Sequence, residues 1–394
     1  MSGDRIVIIG AGQAGLQAAL SLRQSGYDGA LSLIGEEDHL PYQRPPLSKK
    51  YLTGEMTADR LLLKPSAFFD EFDVDLRLSV RAEALDPGRK TIELSTGETL
   101  GFSNVLLATG TRPRLLSLPG HGQEGVLTLR TINDVERMRP YLGSGGQVAI
   151  VGGGYIGLEV AAVTRSLGFE VTIFEAGDRV MQRVAAPETS AFFHDLHTRN
   201  GVAIRLNETI EAIEGNGRCT GVRTSRGEVF PAGLVLIAVG AVPETTLAEA
   251  AGLKVENGIW VDAACRTSAD SVYAAGDCAS FHSPLFDKVI RLESVQNAID
   301  QARAAARAMM KDGSAYNPTP WFWSDQYDVK LQIAGLSQGH DRAEMRGSTE
   351  AKAFGIVYSK NGRLIAVDTV NQPKGHMLAR RAIGGPVDAF DWQP

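Results

Sequence analysis

The chain has 394 residues, 43% of them hydrophobic and 22% charged, with a formal net charge of −6. That length suggests two or three domains, and the balance is that of a protein with a real core, which sets aside a disordered chain. Scattered Lys and Arg set aside nucleic acid as a partner, because its binders carry a basic domain or stripe. Three cysteines, Cys219, Cys265 and Cys278, lie far apart without a CxxC, so neither a disulfide framework nor a metal site is expected. The apolar run 234–242 is far short of the roughly 20 residues of a membrane helix, so no membrane partner is expected. The first residues show no basic stretch followed by an apolar one, so no leader is expected and a cytoplasmic setting fits.

The 43 glycines exceed the usual share of about 7%. In chain order, residues 5–9 read as a strand, Gly10, Gly12 and Gly15 as a tight turn, and 16–23 as a helix. The first glycine permits the turn, the second lets a pyrophosphate approach the backbone, and the third lets helix and strand pack closely. The helix N-terminus then offers N–H groups and partial positive charge to the phosphates. A strand at 31–34 follows, and Glu36, 21 residues past Gly15, stands where a ribose would be bonded.

Residues 104–110 read as an apolar strand ending in Gly110, with Pro113 close behind. The glycine pattern then repeats. A strand at 147–151 leads to Gly152, Gly154 and Gly157, a helix at 158–167, a strand at 170–174 and Glu175, 18 residues past Gly157. Two such fingerprints imply two dinucleotide sites. A carboxylate at Glu175 suits ribose hydroxyls and repels a 2′-phosphate, which favours NADH over NADPH. A solvated strand end is the plainer alternative.

His194 and His197 fall three apart on a predicted helix, with no third metal ligand evident, and read as structural. A second apolar strand ends at Gly240 before Pro243, like the one at Gly110, and both look like crossing points between lobes. A strand at 271–276 ends in Gly276 and Asp277, whose carboxylate could bond a polyol. A helix is predicted over 295–310, a turn-rich linker over 312–320, strands over 330–336, 351–359 and 364–370, and a helix near 377–381. Trp321 and Trp323, two apart, would face one side of a strand.

These motifs together resemble the two-dinucleotide flavoprotein superfold of glutathione reductase. The runs Arg44-Pro-Pro-Leu-Ser-Lys49, Leu129-Arg-Thr131, Gly154-Tyr-Ile-Gly-Leu-Glu159, Glu293-Ser-Val-Gln-Asn297 and Pro320-Trp-Phe-Trp-Ser-Asp-Gln326 narrow the resemblance. They are similar to the NADH-dependent ferredoxin reductases of oxygenase systems, over essentially the whole chain. The resemblance implies an α/β protein with two Rossmann-like domains, one for FAD (1–113 and 240–316) and one for NAD (114–239), plus a small α+β C-terminal domain (317–394). Members commonly continue a short way past the equivalent of Trp392.

The family's site residues carry over position by position. Lys49 would lie beside the flavin N5 edge and Glu159 would face the nicotinamide, as a catalytic ion pair. Ala14, Glu36, Lys49, Ala82, Arg130, Asp277 and Val295 correspond to FAD contacts. Ile156, Glu159, Glu175, Arg183 and Gly240 correspond to the NADH side. Arg44 and Trp323 join the cofactor-binding set, Trp323 near the flavin and the docking face. Plainer readings are a surface lysine at Lys49, a first-turn helix acid at Glu159, a surface arginine at Arg183 and core aromatics at Trp321 and Trp323.

Disulfide-reducing members of the superfold carry a cysteine pair after the first βαβ unit. The stretch 45–49 has no cysteine, so electrons would leave the flavin for an external acceptor. The resemblance implies a two-iron, two-sulfur ferredoxin as that acceptor and, indirectly, a monooxygenase or ring-hydroxylating dioxygenase. Rubredoxin, a quinone, or a low-turnover role in sensing NADH are the alternatives.

Overall fold

The computed structural model describes residues 4–143, 145–313 and 315–394. Ser314, within the linker expected at 312–320, lies outside them. The chain forms two compact units, one of 1–43, 61–112 and 243–322, the other of 44–60, 113–242 and 323–394. The three-domain division expected from sequence differs from this. Segment 44–60 belongs with 113–242 because its 3₁₀ turn Pro45–Ser48 packs on the helix Tyr155–Ser166. Tyr51 also donates a hydrogen bond to Glu136 at 2.6 Å.

The first unit is built on a parallel sheet ordered Val272–Ala274, Asn104–Leu107, Arg5–Ile9, Ala30–Ile34 and Asp75–Arg77. Its central strands are continuous apolar runs, as strands covered on both faces must be. The helix Gln13–Gln24 packs on the helix Val295–Met309, and small residues let them close: Ala14, Ala18, Ala298, Ala302 and Ala305 are all buried. An antiparallel sheet of Ala82–Asp86, Thr91–Leu94 and Thr99–Gly101 completes the N-terminal part.

The second unit repeats the plan. Its parallel sheet is ordered Ala203–Leu206, Glu170–Glu175, Gln147–Val151, Leu234–Ile237 and Val126–Leu127. The expected helix at 158–167 begins three residues earlier, as Tyr155–Ser166, directly after Gly154. An antiparallel meander of Ile210–Gly215, Cys219–Thr224 and Val229–Pro231 lies over it, sharing the buried core of Phe174, Ile213, Val222 and Val235.

The C-terminal sheet is ordered Trp321–Gln326, Val329–Gly335, Arg363–Val370, Ala353–Lys360 and Arg342–Ser348. The helix Pro373–Ala382 packs on it around Leu364, Val367, Ala379, Phe390 and Trp392. Among the described residues no helix is long and apolar enough to cross a membrane, and no cluster of three or more His, Cys, Asp or Glu could hold a metal.

Candidate active site

Both glycine turns take the conformation their spacing requires. Gly10 has φ +112° and Gly152 φ +109°, a region that disfavours side chains. A Cβ on Gly10 would lie 2.2 Å from the Ala108 carbonyl oxygen, and one on Gly152 would lie 2.4 Å from that of Ala238. At the third glycine the helix presses on the turn: a Cβ on Gly15 or Gly157 would come within 1.8 or 2.1 Å of the first glycine's carbonyl oxygen.

The middle glycines behave differently. Gly12 and Gly154 are the N-caps of their helices, neither with a side-chain cap, and a Cβ on either meets nothing within 4 Å. Each turn is thus a cradle in which helix N–H groups face open space that a side chain would fill. That arrangement fits a dinucleotide pyrophosphate, once in each unit.

The acids after the second strands differ. Glu175 is pinned: Oε2 accepts from the Gly153 N–H at 2.7 Å and Oε1 from the Gly177 N–H at 2.8 Å. Glu36 is exposed and lies 3.7 Å from the Arg81 guanidinium. Arg179, the arginine nearest Glu175 in sequence, is consumed locally by Ala185 O and Ser190 Oγ, both at 2.7 Å, and Gln182 O at 3.1 Å. Its guanidinium is therefore already engaged within the chain.

Of the residues expected on FAD, five lie in the first unit. Ala14 is buried in the helix of the first fingerprint, and a Cβ on Gly276 would stand 3.1 Å from its Cβ. Asp277 follows Gly276, and its carbonyl accepts from Arg291 at 3.0 Å. Val295 opens its helix behind the N-cap Ser294, whose Oγ accepts from the Asn297 N–H. Ala82 begins a strand, and Glu36 is the fifth.

Arg44, Lys49, Arg130 and Trp323 fall in the second unit. Arg130 stands before a capping box: Asp134 Oδ2 accepts from the backbone N–H of Arg130 at 2.8 Å and of Thr131 at 2.9 Å. The Arg130 carbonyl in turn accepts from Arg44 at 2.7 Å. On the NADH side, Ile156 is an exposed apolar side chain on the fingerprint helix. Arg183 is exposed beside Gly240, with Nη2 3.0 Å from where a Cβ on that glycine would sit.

Lys49 and Glu159 are brought together. Nζ lies 2.6 Å from Glu159 Oε2, and the carboxylate is only 4% exposed. The sequence reading missed the two serines that complete its shell. Ser48 Oγ donates to Oε2 at 2.5 Å and Ser324 Oγ donates to Oε1 at 2.7 Å. Each adjoins a residue singled out for the site, Lys49 or Trp323, and adjacency was their only signal. Burial, with the carboxylates of Asp368 and Glu159 nearby, holds the Tyr155 phenol well above its ordinary value.

Two cradles for dinucleotides and a buried, fully bonded acid on the second fingerprint helix define an oxidoreductase that uses FAD and NAD(H). Residues 4–302 match the model of the pyridine nucleotide-disulphide oxidoreductase family and 321–389 that of the reductase C-terminal domain. The chain belongs to that oxidoreductase family. It is 43% identical to the 5,5′-dehydrodivanillate O-demethylase ferredoxin reductase subunit of Sphingobium, over 96% of this chain and 92% of that one. It superposes on the ferredoxin reductase of the CYP199A2 system from Rhodopseudomonas palustris with a TM-score of 0.93 and 42% identity, covering 96% and 93% of the two chains. Against putidaredoxin reductase in its covalent complex with putidaredoxin the TM-score is 0.94 and the identity 37%, covering 98% and 95%.

Proposed function

We propose that this enzyme passes electrons from NADH to a two-iron, two-sulfur ferredoxin that serves an oxygenase. One observation carries the reading: the chain has cradles for two dinucleotides and no accessible thiol. All three cysteines are buried and unpaired, and burial pushes their thiols upward, which makes them inert rather than redox-active. Relatives that match over nearly the whole chain include a ferredoxin reductase subunit, a rhodocoxin reductase and putidaredoxin reductase, which supports the reading; two rubredoxin–NAD(+) reductases match at lower identity.

Bound FAD would take an electron pair from NADH as hydride and release the electrons singly to the partner. The chain supplies the rest. The N-terminus of the helix Gln13–Gln24 would hold the FAD pyrophosphate, with Asp277 and the start of the helix Val295–Met309 on the same cofactor. The N-terminus of the helix Tyr155–Ser166 would hold that of NADH, and Glu175 would bond its ribose hydroxyls. Glu159, fixed by Lys49, Ser48 and Ser324, would orient the nicotinamide.

The test is NADH-driven reduction of cytochrome c with and without an added two-iron ferredoxin from an oxygenase system. Reduction that depends on the ferredoxin is expected. Equal rates without it, or a response only to rubredoxin or a quinone, would contradict the reading.

A further inference from the structure

A buried chain of hydrogen bonds runs from Glu159 away from Lys49. Ser324 Oγ donates to Glu159 Oε1 at 2.7 Å, Gln326 Nε2 donates to Ser324 Oγ at 3.1 Å, and Gln326 Oε1 lies 2.8 Å from His197 Nε2. The Tyr327 hydroxyl lies 3.4 Å from His197 Nδ1 at the far end. Ser324 and His197 are wholly buried and Gln326 is 1% exposed. All of these groups belong to one unit.

The inventory of donors fixes the direction of every link. An ionised carboxylate can only accept, so the Ser324 hydrogen goes to Glu159. Ser324 then takes a hydrogen from the Gln326 amide nitrogen, which can only donate. The Gln326 carbonyl is left facing His197 and must accept, so Nε2 of His197 carries its hydrogen. Burial lowers His197 to about 4, so near neutral pH the ring has one N–H and one lone pair. The lone pair, on Nδ1, faces Tyr327, whose phenol burial pushes up to about 12 and keeps a donor. Every bond therefore points toward Glu159.

We infer that Ser324, Gln326 and His197 are positioning residues that hold the Glu159 carboxylate in one orientation, His197 acting through its Nε2–H tautomer. A serine hydroxyl alone can rotate away from its acceptor. With Gln326 donating to its oxygen, the Ser324 hydrogen stays on Glu159, and a fully connected buried network holds a group more tightly than isolated bonds do. The inference rests on the reading that Glu159 faces the nicotinamide.

The test combines ¹⁵N NMR of the histidine-labelled holoenzyme with anaerobic stopped-flow reduction of its flavin by NADH, with no ferredoxin present. NMR is expected to show His197 as the Nε2–H tautomer at pH 7. The Gln326→Glu variant offers an acceptor to both neighbours, so it should turn Ser324 away from Glu159 and charge His197. Ser324→Ala and Gln326→Glu should each lower the limiting rate roughly 10- to 100-fold, the loss of one hydrogen bond to a charged group, with the NADH dissociation constant unchanged. His197→Leu should lower that rate less, and His197→Gln, which keeps a donor near the Nε2 position, should restore it.

An Nδ1–H tautomer at His197 would overturn the proposal. So would wild-type rates in Ser324→Ala, or equal losses in His197→Leu and His197→Gln, which would mark mere packing. A Glu159→Gln variant with an unchanged limiting rate would overturn it through the role of Glu159. The reading of ferredoxin as acceptor fails separately, because no acceptor enters these measurements.

Discussion

At the first glycine turn Gly10 adopts φ +112° and a Cβ on it would strike Ala108 at 2.2 Å; at the second, Gly152 adopts φ +109° and would strike Ala238 at 2.4 Å. In both turns the middle glycine faces open space and the third is pressed on the first. The two turns share these contacts, yet their surroundings differ. Glu175 is tied to two backbone N–H groups, whereas Glu36 meets one distant arginine. The helix after the second turn buries Glu159, while the helix after the first buries only small and apolar side chains and Ser21. The turn makes a place for a phosphate, and the residues downstream decide what else happens there.

The largest expected effect separates glycines that hold the fold from glycines that hold a ligand. Gly10→Ala or Gly152→Ala combines overpacking with a left-handed alanine and should destabilise the protein by about 2–5 kcal/mol, read by urea unfolding. Gly12→Ala and Gly154→Ala should leave stability nearly unchanged. The first should lose FAD uptake and the second only NADH binding. Loss of both cofactors from either variant would break the comparison.

Next in size is Asp368, buried in the C-terminal sheet. Tyr358 donates to its Oδ2 at 2.7 Å and Thr189 at 3.3 Å, and burial raises the carboxyl to about 7. A folded value above the unfolded one means stability that is full below about pH 4 and is lost as the pH rises to 7, by about 4 kcal/mol. Buried His197, lowered to about 4, has the opposite slope and loses stability as the pH falls from 6.5 to 4. Asp368→Asn should therefore remove the fall in stability between about pH 4 and 7, so that Tm rises more steeply with pH across that range, where the His197 slope is left unopposed. An unchanged Tm profile between about pH 4 and 7 would contradict this.

Smaller effects sharpen the contrast between the two acids. Glu175→Ala should weaken NADH binding by about 1.5–3 kcal/mol, the loss of a charge-assisted contact, and weaken NADPH binding less. Glu36→Ala should change FAD affinity by under about 1 kcal/mol, because the exposed carboxylate is solvated and unfixed. Titration calorimetry reads both, and equal losses would erase the distinction.

Much of this was legible in the sequence because glycine patterns report backbone requirements directly. The strands leading into Gly10 and Gly152 and the helices after them follow from apolar runs and spacing. The edge strand Arg342–Ser348 was not legible: its residues are exposed or half-buried throughout, so no apolar alternation marks it. Nor was the grouping of 44–60 with the second unit, since that depends on contacts over a hundred residues away, such as Lys49 with Glu159. Ser324 and Gln326 stood within a quoted motif, but a serine or glutamine in a strand announces nothing until its partner is placed. His197 was read as structural. It is buried as that reading expects, and the partner on its Nε2 gives it a further proposed part.

The central claim is that electrons leave the flavin for an outside acceptor and that no thiol stores them. The direct test is an anaerobic titration of the FAD-loaded protein with NADH, following the flavin absorbance. One equivalent of NADH per FAD should complete the bleaching, the same in protein first reduced, treated with a thiol-alkylating reagent and reoxidised in air. An end point at two equivalents that falls to one when the reduced protein has been alkylated would show a redox-active thiol pair and contradict the account.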